Sequence, residues 1–188
     1  MLTKAVITLT ASLLALPLWA GSAVFEKSGW PGEGIPVIEA TQSSIEVREA
    51  PYRDSDSTTI AADNPLEFDR SVVITHSPIQ IEVSSSQPEH HCRNTHTIDA
   101  GERLCYLQYK ADGLGLMVPG ECDDGLAVEE RERVLCQVSV RDGSVFKGGA
   151  PGLPDTQWWV RLINSDKESL GWLEVREANG VTVTDRIY

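Results

Sequence analysis

The chain reads as an all-β protein stapled by two disulfides. Three observations predict this. Apolar residues alternate with polar ones over many short segments, and Gly, Pro, Asp and Asn punctuate the segments. All four cysteines lie between positions 92 and 136. Alternation with a period of two marks a half-buried strand, and many short strands joined by such turns mark a sandwich or a barrel.

The elements follow in order. Gly29–Gly34 is turn-rich and irregular. Ile35 with Val37, then Ile45 with Val47, alternate with polar neighbours and predict two strands. Residues 48–57 form a polar loop. Leu66–Phe68 and Ser71–Thr75 are the next strand segments, and Ile79–Val83 alternates cleanly. Ser84–Glu89 breaks the pattern and reads as a linker. Leu104–Tyr109 and Leu114–Val118 form the arms of a hairpin around Ala111-Asp112-Gly113. Val134–Val140 is a strand, and Gly148–Pro154 a long loop. Trp158–Ile163, Leu170–Val175 and Val181–Thr184 complete the set. The single helical segment predicted is Leu126–Arg133. Ile60–Phe68 and Ile98–Tyr106 share the pattern Ile-x-Ala-x-x-x-Leu-x-aromatic, which fits either a repeat or two similar turn-to-strand passages.

An even number of cysteines in an exported chain reads as two bridges, with three possible connectivities. The nested pairing, Cys105–Cys122 inside Cys92–Cys136, is preferred because Cys105 and Cys122 flank the predicted hairpin. Export itself is expected from residues 1–23. Lys4 precedes an uncharged apolar run from Ala5 to Ala20, and small residues follow, in the order of a signal peptide. Cleavage fits after Ala20 or after Ala23. The run is shorter than the ~20 residues that span a bilayer. The expected compartment is the periplasm or the exterior, with no membrane insertion after cleavage.

Sixteen Lys and Arg stand against 28 Asp and Glu, a net charge of −12. An acidic chain is a poor partner for nucleic acid or for anionic membranes, because both are bound through Lys and Arg.

Several motifs in this order resemble the bacterial SH3-like (SH3b-type) domains of cell-envelope proteins. Ile45-Glu46-Val47-Arg48-Glu49-Ala50-Pro51 is similar to the opening strand of that family. Ile98-Asp99-Ala100-Gly101-Glu102-Arg103-Leu104 is similar to the lead into a middle strand. Trp158-Trp159-Val160-Arg161-Leu162 and Gly171-Trp172-Leu173 are similar to the closing pair. The resemblance implies small barrels and a binding role, for peptidoglycan or for a peptide. The opening and closing motifs lie over a hundred positions apart. Two barrels in tandem fit that spacing, and so does one barrel carrying a disulfide-stapled insertion. The tandem division places an N-terminal β domain at 24–88 and a C-terminal one, with both disulfides, at 89–188.

On a regular strand Trp158 and Trp159 point to opposite faces. The outward one, with Tyr106, Tyr109 or Trp172, would give a stacking surface, and Arg161 a polar anchor. His90, His91, Cys92 and His96 have a metal-like spacing, but a bridged Cys92 is lost as a ligand, and surface histidines are the simpler reading. Asp54–Thr58 lacks the glycine and the glutamate of a calcium loop. No nucleophile elbow, phosphate loop or dinucleotide fingerprint occurs, so no catalytic residue, metal or cofactor is expected. The expected function is a non-enzymatic, exported binding module of the cell envelope. It would bind peptidoglycan or a peptide or protein ligand through an aromatic groove of Trp158, Trp159, Arg161, Trp172, Tyr106 and Tyr109. The alternative is an inhibitor of an envelope enzyme or toxin, acting through acidic loops at Asp54–Asp56 or Glu121–Asp124.

Overall fold

A computed structural model describes residues 25–31, 34–84, 88–122 and 134–186. The signal segment, the helical segment Leu126–Arg133 and the acids Asp123 and Asp124 lie outside them. The described chain is all-β, with two 3-10 turns and thirteen strands. In chain order these are β1 (Phe25–Ser28), β2 (Ile35–Ala40), β3 (Ser44–Arg48), β4 (Ser57–Ala61), β5 (Phe68–Ser77), β6 (Ile79–Glu82) and β7 (His90–Cys92). There follow β8 (Arg103–Ala111), β9 (Leu114–Pro119), β10 (Cys136–Ser139), β11 (Asp155–Ile163), β12 (Ser169–Glu174) and β13 (Val181–Arg186).

They form three sheets rather than closed barrels: β1-β5-β11-β12-β3-β4, β6-β8-β9-β10-β7 and β13-β2. The edge strands β1 and β4 of the first sheet do not pair with each other, which leaves it open. The pairing also crosses the expected boundary at residue 88. Strands β5 and β11 are neighbours in the six-stranded sheet, and the whole five-stranded sheet lies between them in sequence. The consecutive division into 24–88 and 89–188 therefore does not describe the pairing; an insertion does.

Local sequence explains the strands. Ser44-Ile45-Glu46-Val47-Arg48 alternates, and only Ile45 and Val47 are buried. The run Val72–Thr75 is buried throughout, because β5 is central and covered on both sides. Asp112 and Gly113 both take positive φ (53° and 74°), the geometry of a two-residue hairpin turn, and join β8 to β9 between the paired Ala111 and Leu114. Gly171 has φ of 124°, and a Cβ there would come 2.9 Å from the Arg48 carbonyl oxygen. The glycine lets β12 lie close against β3.

One face of the six-stranded sheet carries the packing. Trp158, Val160 and Leu162 alternate onto it from β11, with Leu173, Ile45 and Val47 beside them, and Ile38 and Val181 from the two-stranded sheet cover it. Asn64 ties β2 down as a strand residue would. It accepts from the Ala40 N–H at 2.7 Å and donates to the Ala40 carbonyl at 3.0 Å. The far end of the same face meets the five-stranded sheet. Phe25, opposite Thr75, is fully buried among Cys105, Leu107, Leu116 and Val118. The Thr75 hydroxyl donates to the Leu107 carbonyl at 2.7 Å. A second core, with Leu104, Tyr106, Met117 and Val138, fills the opposite side of the five-stranded sheet.

Both disulfides have the nested pairing, Cys92–Cys136 and Cys105–Cys122, with sequence separations of 44 and 17. Chain-entropy reasoning makes the wider loop worth about 4 kcal/mol and the narrower about 3 kcal/mol. Replacing Cys92 and Cys136 together with alanine is therefore expected to lower the urea midpoint more than replacing Cys105 and Cys122. The reverse order would show that the unfolded chain is not the main target of these bridges.

Candidate functional site

The other face of the six-stranded sheet is the candidate site. Directly opposite residues of antiparallel strands share a face. Trp159 stands opposite Glu174 and Val72, Arg161 opposite Trp172 and Arg70, and Trp172 opposite Arg48. All of them project on this side. Two arginines opposite one another would repel. A β-bulge leaves Asp69 out of register between Arg70 and Phe68. Its carboxylate accepts from Arg161 Nε at 2.8 Å and also from Nη2. The paired guanidinium holds the Asp69 carboxyl below its ordinary pKa.

The connection between β3 and β4 folds back over this face. Its turn is closed by the Ser55 hydroxyl, 2.9 Å from the Ala50 carbonyl and 2.8 Å from that of Tyr52, and by Arg48 Nη1 donating to the Ser55 carbonyl at 2.7 Å. Tyr52 and Trp172 both pack against the buried cluster of Val72, Ile74 and Trp159. Burial first, then the Glu26 carboxylate to which its hydroxyl donates, raises the Tyr52 phenol above its ordinary pKa. Arg53 reaches the buried Glu174, with Nε donating to Oε2 at 3.0 Å. This bond raises the pKa of the Arg53 guanidinium. Arg176 Nε lies 3.4 Å from the same carboxylate.

Between these groups opens a cleft of about 330 Å3. Arg48, Arg53 and Arg176 line it with Trp159, Trp172 and Glu174. Trp159 is its floor, only 1 % exposed, and Trp172 a half-buried wall. Three guanidiniums against Glu46 and Glu174 leave the lining net positive, in a chain of net charge −12. Planar guanidiniums beside indole faces suit a carboxylate carried on a flat or apolar body.

The structure does not bring the six predicted residues into one groove. Trp159 and Trp172 share the cleft, and Arg161 lies beside Trp172 but is held by Asp69. Trp158 is on the opposite face, its indole N–H donating to Ser71 Oγ at 2.7 Å. Tyr106 belongs to the five-stranded sheet and is fully buried in its core. Tyr109 is in that sheet too, and its hydroxyl accepts from the Gly113 N–H at 3.0 Å. The faces of Trp158 and Trp159 differ as strand alternation requires, yet the one turned away from the main core is buried in a cluster of its own, against which Tyr52 packs. Sequence reasoning missed Arg48, Arg53, Glu174 and Arg176. Arg48 and Glu174 follow the core residues Val47 and Leu173, so alternation puts them on the cleft face. Arg53 and Arg176 lie in connections, where no periodicity marks a face.

The histidines are dispersed. His90 Nδ1 is 2.8 Å from the Pro88 carbonyl, and His96 Nε2 is 2.6 Å from Glu102 Oε1. His91 is exposed, one position along β7 from His90 and so on the opposite face. Among the described residues no three His, Cys, Asp or Glu side chains gather as metal ligands. Of the acidic loops, Glu121 is paired with Arg103.

Comparison with known protein families, with characterised proteins and with solved structures finds no match to this chain.

Tyr106 has a hydroxyl without a protein partner, and burial, with Tyr109 second, pushes its pKa up to about 12. In the unfolded chain the phenol ionises near 10. Its protonated form is therefore favoured by folding, and that contribution is present below pH 10 and lost as pH rises through 12. Tyr106→Phe should leave stability at pH 7 unchanged or raise it by up to ~1 kcal/mol. It should also flatten the alkaline loss of stability. Urea midpoints of both proteins at neutral and alkaline pH check this, and a large loss at pH 7 would assign the hydroxyl a bonding role.

Proposed function

We propose that the chain is an exported, non-enzymatic binding protein of the cell envelope. Its ligand is peptidoglycan or a peptide, held by a carboxylate and a flat or apolar body. The observation that carries this reading is the cleft of Arg48, Arg53 and Arg176 against Trp159 and Trp172. Its polar groups favour recognition over chemistry. A guanidinium does not release its proton near neutral pH. Glu174 is engaged by Arg53 and Arg176 and so is poorly placed to abstract one. Two disulfides agree with an oxidising compartment, periplasmic or exterior. No helix among the described residues is long and apolar enough to cross a membrane. The motif order shared with SH3-like envelope domains supports the same reading, although the sheets here are open.

The test is retention of the mature, oxidised protein on purified peptidoglycan, with affinities for soluble wall fragments measured in parallel. Trp172→Ala is expected to weaken binding about tenfold or more. Trp158→Phe, on the opposite face, should leave it unchanged. Wall binding that ignores Trp172→Ala would remove the cleft from the reading. A protein partner released by salt, without wall retention, would favour the inhibitor function instead.

A further inference from the structure

β4 is the last strand of the six-stranded sheet and pairs only with β3, from Ser57 opposite Arg48 to Ala61 opposite Ser44. The Glu49 N–H donates to the Asp56 carbonyl, and the Ala62 N–H to the Ser43 carbonyl, both at 3.0 Å. Ladder bonds alternate along an antiparallel pair, so Thr58 and Ile60 also turn their backbone groups to β3. Ser57, Thr59 and Ala61 turn theirs outward, where they meet no partner among the described residues. All three residues are exposed. Proteins usually blunt such an edge with a charge, a proline, a bulge or a cover, or keep it short. The other edges of this chain do so. The Lys147 N–H donates to the outward Glu82 carbonyl of β6, and the Leu66 N–H to the outward Ile38 carbonyl of β2, both at 2.9 Å. β1 carries Glu26 and Lys27, β13 carries Asp185 and Arg186, and β7 has three residues. β4 reads Ser-Thr-Thr-Ile-Ala, uncharged and in unbroken register, with three β-branched residues that favour pairing.

Charge selects the occupant of this edge. Asp54 and Asp56 precede β4 and Asp63 follows it; all three are exposed, and none has an ion pair or a side-chain hydrogen bond among the described residues. A second copy paired antiparallel about Thr59 would set Asp56 of each chain beside Asp63 of the other, placing like charges at both ends. A segment with cations at its ends meets opposite charges there instead. We propose that the β4 edge takes up an extended basic segment of a partner protein as a seventh strand. Uncharged residues of that segment pair with the backbone of Ser57, Thr59 and Ala61, and Lys or Arg at its ends face Asp54, Asp56 and Asp63. None of the described residues lining the cleft beside Trp172 belongs to β4, so this docking does not depend on the ligand of that cleft.

The experiment is a titration of the full mature, oxidised chain, followed by amide chemical shifts. The probe is the blocked peptide acetyl-Lys-Thr-Val-Thr-Val-Thr-Lys-amide. Two controls accompany it, one with Glu in place of both Lys and one with its internal amides N-methylated, which keeps the charge and removes the donors. The Lys probe is expected to bind about tenfold more tightly than either control, to weaken as salt is added, and to shift the amides of Ser57, Thr59 and Ala61. Thr59→Pro deletes one outward N–H and leaves the bonds to β3 in place, so it should weaken binding about tenfold. Asp56→Asn combined with Asp63→Asn should weaken it severalfold and flatten its salt dependence. Trp172→Ala should leave the titration unchanged, which separates this edge from the cleft. Should Thr59→Pro fail to fold, the N-methylated probe on the parent chain decides. Equal binding of the Lys and Glu probes, equal binding of the N-methylated probe, or no binding would overturn the proposal. So would a concentration-dependent dimer that Thr59→Pro abolishes, which would assign the edge to a second copy of the chain.

Discussion

The antiparallel pairing of β5 with β11 is the contact on which the rest of the structure depends. It runs from Asp155 opposite Ser77 to Leu162 opposite Phe68, and so joins segments separated by the entire five-stranded sheet. Closing so long a loop is entropically costly, although the cost grows only slowly with length. Structure inside the loop offsets it. Cys92–Cys136 and Cys105–Cys122 shorten the effective connection, and Phe25 and Thr75 dock the inserted sheet against the strands that it separates. Once β11 is in place, its two faces receive different partners. Val160 and Leu162 enter the main core, while Trp159 and Arg161 build the cleft side.

The cleft then follows from charge pairing under partial burial. Glu174 is nearly inaccessible, and a buried carboxylate is tolerated only when it is paired. Arg53 and Arg176 supply the pairing from two connections, Arg53 from the β3–β4 turn and Arg176 from the N-cap of the short 3-10 turn between β12 and β13. The same contacts that satisfy Glu174 therefore hold the β3–β4 connection over Trp159. Asp69 does the equivalent for Arg161, from a bulge beside the cross-strand pair of Arg161 and Arg70, and so places a negative charge next to two positive ones. On this reading the cleft's shape is a by-product of neutralising charges that strand alternation places side by side.

Much of the fold was legible in the sequence, because alternation is local. The strands around Ile45, Ile79, Leu104, Leu114 and Trp158 stand where period-two patterning puts them, and Asp112-Gly113 turns the hairpin. The disulfide pairing was legible for the same reason, since Cys105 and Cys122 flank that hairpin. Non-local facts were not legible. Nothing in Ile35–Ala40 says that its partner is Val181–Arg186, and nothing in Phe68–Ser77 says that it pairs beyond the cysteine-rich stretch. Both arrangements satisfy the local pattern equally well, so the tandem division was as compatible with it as the insertion. The lining of the candidate cleft was half legible. Trp159 and Trp172 were read from composition and motif, whereas Tyr106 was misread because an aromatic residue on a strand looks the same whether it faces the core or solvent.

The charge of the whole chain is a poor guide to what it binds. At physiological ionic strength charges are screened beyond ~8 Å, so an approaching anion responds to the groups lining a cleft more than to the acids elsewhere on the surface. The cleft beside Trp172 has a positive local balance, through three guanidiniums against two carboxylates. The surrounding excess of Asp and Glu repels polyanions, whose many charges sample a wide area. A single carboxylate samples only the cleft. On the proposed reading, a locally positive cleft on an acidic chain favours an isolated carboxylate over an extended polyanion, so that global charge and local recognition act toward the same selectivity.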